Sequence, residues 1–109
     1  MRTHLRAALK AALSARDRTA VRALRSALAA IDNAEAVPSN QPATGAHGLG
    51  AAEADRRELA EDEILRIVRA EVRDRLSASE EYERLGQTEA AERLRTEAAV
   101  LERELPDDR

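Results

Sequence analysis

The chain contains no cysteine, and Tyr82 is the only aromatic residue among its 109. The first absence excludes disulfides and thiolate metal sites. The second removes the stacking platforms on which single-stranded nucleic acid is usually held. It also obliges the core to be aliphatic, built from 13 Leu, 5 Val and 3 Ile with alanine around them. No apolar run approaches the ~20 residues of a membrane span. Arg2, His4 and Arg6 are followed by further cations inside the apolar pattern, not by the uninterrupted hydrophobic region of a signal peptide. A cytoplasmic location with no membrane partner is therefore expected. Lysine is scarce too: Lys10 stands alone beside 17 arginines, a usage that suggests a GC-rich bacterial genome.

Motifs that carry chemistry are missing as well. His4 and His47 are too far apart in the chain to suggest a shared metal, and neither belongs to an HExxH-type spacing. GxSxG, GxGxxG and GxxxxGKS/T do not occur, so nothing marks a nucleophile elbow or a phosphate-cradling loop. Carboxylates are plentiful, but Glu80, Glu81 and Glu83 beside Arg84 read as a solvated helix surface, not as an acid–base pair. No catalytic residue, cofactor or metal is expected, and binding is the role that remains.

What is present is helical periodicity. Leu5, Leu9 and Leu13 recur at four-residue spacing in a first helix that Thr3 is placed to cap. A break is expected between Ser14 and Thr19, with Asp17 as the next N-cap, after which Val21, Leu24, Leu28 and Ile31 form a stripe. Residues 37–50, rich in Pro, Gly and small polar side chains, read as a flexible connector. Asp55 and Glu58 resemble a capping box for a third helix, with Glu61, Asp62 and Glu63 suiting the positive end of its dipole. Its stripe is Ile64, Val68, Val72 and Leu76, running on to Tyr82 and Leu85 before a corner at Gly86. Ala90, Leu94, Val100, Leu101 and Leu105 then mark a fourth helix stopped by Pro106. The expected fold is all-α: four helices in two helical hairpins, one domain over residues 1–106 with a short tail at 107–109. So thin an aliphatic core leaves room for a partner, and a homodimer is one expectation.

Charge is divided along the chain. Residues 1–35 hold seven basic and three acidic side chains, a balance of +4, while residues 53–109 hold eleven and eighteen, a balance of −7. Two readings are open: the basic half lies against its own acidic half, or it presents a face to an anionic partner. Arg2, Arg6 and Lys10 recur at four-residue spacing, and Arg18, Arg22 and Arg25 at four and three, so each set projects from one side of its helix at a spacing suited to phosphates. Arg73 and Arg75 add charge on the third helix. Without aromatic platforms, RNA contact would be confined to backbone and shape.

Four segments resemble the GatB/YqeY family, which comprises free YqeY-like proteins and the helical tail of the GatB subunit of tRNA-dependent amidotransferases. They are ALKAALSARDRTAVRALRSALAAIDNAEA from Ala8, EDEILRIVRAEVRDR from Glu61, EEYERLG from Glu80 and ERLRTEAAVLERELP from Glu92. The match includes Leu24, Arg25, Ile31, Asn33, Ala34 and Glu35, then Glu71, Arg73 and Arg75, then Tyr82, Gly86, Glu92, Glu97, Leu105 and Pro106. Gln87, Leu94 and Glu104 depart from it, standing where the family often has Arg, Glu and Tyr. The resemblance implies a YqeY N-terminal-like helical bundle. Longer members continue past the Leu-Pro into a second helical subdomain, so a short form lacking the portion associated with tRNA contact is expected. For the whole enzyme it implies carbon–nitrogen ligation with glutamine as amide donor, chemistry housed in other domains and subunits. The expected role is therefore a non-catalytic binding or accessory module that engages tRNA or amidotransferase subunits through Arg18, Arg22 and Arg25, aided by Arg73 and Arg75. The alternative is a protein-interaction or oligomerisation module with no nucleic-acid role.

Overall fold

Apolar spacings of three and four residues become the inner faces of four helices among the residues that the computed structural model describes, 1–36 and 59–107. They are α1 (Arg2–Ala15), α2 (Arg18–Ala36), α3 (Glu61–Arg84) and α4 (Thr88–Glu104). The fold class is the expected all-α one, and no strand occurs among the described residues. The connector at 37–50, the Asp55–Glu58 box and the last two tail residues lie outside them.

α1 starts two residues earlier than a cap at Thr3 would have set it. Met1 occupies the N-cap position without a side-chain cap, its carbonyl accepts the Leu5 N–H at 2.8 Å, and its ammonium donates to Glu61 Oε2 at 2.8 Å. Packing of the Met1 side chain against the core and this ion pair set the entry of the helix. α2 begins as expected, with Asp17 Oδ1 accepting the Ala20 N–H at 3.1 Å. At α3 the reaching-back carboxylate is Glu63, whose Oε1 accepts the Ala60 N–H at 3.0 Å. Helix α3 therefore starts at Glu61, with three acidic residues in its first turn facing the positive end of the dipole.

Leu5, Leu24, Ile31, Val68 and Leu101 are the largest fully buried side chains. Ala12, Ala20, Ala23, Ala27 and Ala98 are buried between them, letting the helix axes approach closely. α1 pairs with α2 and α3 with α4, giving the two expected hairpins, and α2 lies against both α3 and α4. The inner stripe of α3 departs from expectation beyond Val72. Ser79 is buried, whereas Leu76, Tyr82 and Leu85 are exposed. At 3.6 residues per turn the face that carries Val68 and Val72 passes next through Arg75 and Ser79, so polar residues occupy the stripe where the chain offers apolar ones one position away.

Polar contacts fix the order of the ends. Besides the Met1–Glu61 pair, Arg2 donates to Asp32 at 2.7 Å and to Glu35, the Leu59 N–H donates to Glu35 at 3.4 Å, and His4 meets Glu104 at 2.8 Å. The starts of α1 and α3 and the ends of α2 and α4 thus share one end of the bundle, and the α1–α2 and α3–α4 corners share the other. α3 has 24 residues against 19 in α2, so at ~1.5 Å per residue the second hairpin is longer by about 7 Å. Burial agrees: every residue from Glu80 to Glu89 is exposed. The α3–α4 corner stands out beside the α1–α2 corner like a step.

Candidate anion-binding corner

The α1–α2 corner is built by a reversal that glycine would make more easily. α1 ends in a paired hydrogen-bond pattern, the Arg16 N–H donating to Leu13 O at 3.1 Å and the Asp17 N–H to Ala12 O at 3.0 Å. Between them Arg16 takes the left-handed conformation at φ 58°, the only non-glycine residue with positive φ among those described. For an L-residue that costs roughly 1–2 kcal/mol. Arg18 is the first residue of α2, whose first turn holds no acidic side chain, so its charge faces the positive end of the helix dipole, an arrangement costing up to about 1 kcal/mol. Neither residue is where helix stability would put an arginine.

The corner encloses an open groove of about 650 Å³ lined by Leu13, Val21, Arg16, Arg18, Arg22 and Arg25. Leu13, 48% exposed, and half-buried Val21 form its apolar floor, and the four exposed arginines surround it. Among the described residues none of the four makes an ion pair, although Arg2, Arg66, Arg75, Arg84 and Arg95 all do. The nearest carboxylate in sequence, Asp17, is engaged in capping α2. Four guanidinium groups around a concave, partly apolar surface can hold phosphates or carboxylates by charge-assisted, bidentate hydrogen bonds.

The five arginines singled out in the sequence fall in three places. Arg18, Arg22 and Arg25 meet at this groove, joined by Arg16, which the sequence reading placed only in a break. Its signal was the break itself, because a residue between two capped helices is held at a corner. Arg73 is exposed and lines a separate, smaller groove with Arg69, Leu76, Leu105 and Pro106.

Arg75 faces inward, its side chain 12% exposed. Its Nε donates to Glu97 Oε1 at 3.0 Å and its Nη1 to Glu71 Oε1 at 2.8 Å, and the Ser26 hydroxyl donates to the same Glu71 oxygen at 3.0 Å. Burial disfavours the Arg75 charge, but hydrogen bonds to Glu71 and Glu97 outweigh it and hold the pKa above its ordinary value. The guanidinium therefore stays charged throughout the pH range of folded proteins. This network ties α2, α3 and α4 together, and three of its members, Glu71, Arg75 and Glu97, are among the residues that carry the family resemblance.

Residues 2–108 match the model of the family described as Yqey-like protein. The chain belongs to that family. The match covers both hairpins of this Yqey-like chain, the basic corner and the Arg75 network alike. No curated protein and no solved structure matches it. Among the described residues no group of three His, Asp or Glu side chains could hold a metal ion, and no helix is long and apolar enough to cross a membrane. His47 lies outside the described residues.

Proposed function

We propose that this Yqey-like chain is a non-catalytic accessory module of the tRNA-dependent amidotransferase system in the bacterial cytoplasm, and that it holds the tRNA backbone at the α1–α2 corner. Arg18, Arg22 and Arg25 make the phosphate contacts, with Arg16 as a fourth. Carbon–nitrogen ligation and glutamine hydrolysis belong to other subunits, and this chain contributes affinity. The observation that carries the reading is the groove itself: four arginines without an ion pair among the described residues, two of them at positions that cost helix stability. Aromatic stacking plays no part, so recognition is of backbone and shape and is dominated by counterion release.

Three to four neutralised phosphates give a slope of about −3 in log K against log salt, a loss of roughly 60-fold for a fourfold rise in salt. The test is a titration of purified protein with total tRNA at low and near-physiological salt, comparing wild type with the triple variant Arg18→Glu, Arg22→Glu, Arg25→Glu. Steep salt dependence in the wild type and no binding in the variant support the reading; equal affinity of the two proteins overturns it. Leu13 on the groove floor has no use in tracking phosphates and favours the second reading, a protein-interaction module. Under that reading tRNA is not bound even at low salt.

A further inference from the structure

The tRNA reading leaves the second corner without a role. Its exposed stretch from Glu80 to Glu89 holds four glutamates and one arginine, a balance of −3; Glu81 pairs with Arg84 and Glu83 with Arg95, while Glu80 and Glu89 make no ion pair among the described residues. It also carries Leu85, 62% exposed, and Tyr82, 36% exposed. The α1–α2 corner from Leu13 to Arg25 holds four arginines and one aspartate, a balance of +3, around the exposed Leu13. These two surfaces share one end of the bundle, one recessed and the other projecting, and among the described residues no ion pair joins them within the chain.

We propose that two copies of the chain dock end to end, the projecting acidic tip of each seated against the basic groove of the other. A two-fold axis across that end inverts the second copy, so its tip meets the first copy's groove in the same operation that brings the first copy's tip to its groove. Both contacts form together and the assembly closes as an isologous dimer. The step shape is self-complementary under this operation. Tyr82 and Leu85 reach the Leu13 and Val21 floor to make an apolar centre, and glutamates and arginines form the polar rim. The contact is small, confined to two corners, and belongs with transient interfaces whose charge pairs weaken as salt rises. The inference does not rest on tRNA binding, but it uses the same arginines, so dimer and tRNA complex exclude one another.

Charge reversal tests it by sedimentation velocity on the full chain at low salt. The corner variant carries Arg18→Glu, Arg22→Glu and Arg25→Glu, and the tip variant carries Glu80→Arg, Glu81→Arg and Glu89→Arg, all at exposed positions. Wild type is expected to shift with concentration from the 11.9 kDa monomer toward twice that mass, and to return to monomer at high salt. Each variant alone sediments as monomer, because both of its surfaces then carry one sign. An equimolar mixture of the two regains the dimer, since every contact is again between opposite charges. Circular dichroism of each variant matching wild type shows that the helices are intact. A wild type that stays monomeric at high concentration and low salt overturns the proposal, as does a mixture that does not associate. A neutral tip variant, Glu80→Gln, Glu81→Gln and Glu89→Gln, keeps all four corner arginines and adds no cation, so its tRNA titration reports the function proposed above independently of the dimer.

Discussion

The two corners of the bundle use the same backbone reversal with opposite side chains. At the α3–α4 corner the Gly86 N–H donates to Glu83 O at 3.0 Å and the Gln87 N–H to Tyr82 O at 2.9 Å, with Gly86 at φ 76°. That repeats, position for position, the hydrogen bonds at Leu13, Ala12, Arg16 and Asp17. One corner meets the left-handed requirement with glycine and is acidic; the other meets it with arginine and is basic. A corner shaped by folding alone takes the residue with no Cβ penalty. An arginine held there against that preference is backbone strain at a candidate binding surface, where such strain tends to be found.

The largest effect is expected from reversing charge at one corner only. The triple Arg18, Arg22, Arg25 to Glu variant should lose about a thousandfold in tRNA affinity at low salt, whereas Glu80→Arg with Glu89→Arg at the other corner should lose none. Equal losses at both would dissolve the comparison. An arginine of the same charge but inside the bundle behaves differently: Arg75→Met leaves Glu97 buried without its partner and should cost about 3 kcal/mol in urea unfolding. At low salt the folded variant should bind tRNA like the wild type. The smallest effects sharpen the backbone argument. Gly86→Ala finds nothing within 4 Å of the new methyl, so its cost of about 1 kcal/mol is conformational. Arg16→Gly should stabilise by up to about 1 kcal/mol while weakening tRNA binding, and a variant that gains stability with no loss of affinity would show that Arg16 is an ordinary corner residue.

Helix number, order and pairing were legible in the sequence because three- and four-residue apolar spacings recur in Val21–Ile31 and Ile64–Val72, and because Asp17, Gly86 and Pro106 punctuate them. The end of the α3 stripe was not. Leu76, Tyr82 and Leu85 are apolar, but the geometric face runs through Arg75 and Ser79, and hydrophobicity misleads wherever the inward positions are polar. Arg75 was read as surface charge for that reason, although Glu71 four residues before it and Glu97 in α4 were present to receive it. At α1, a terminal ion pair and Met1 packing set the start where a capping hydroxyl was expected. The basic corner was legible as the Arg18, Arg22, Arg25 spacing, while Arg16 and the floor of Leu13 emerged only when two helices met.

The most direct test of the account is to follow backbone amide signals of ¹⁵N-labelled protein by NMR as tRNA is added at low salt. The account predicts that perturbed amides gather between Leu13 and Arg25, with those between Tyr82 and Thr88 moving only as far as the loss of the dimer moves them in the corner variant. Perturbation centred on the α3–α4 corner, or spread evenly over both hairpins, would contradict it.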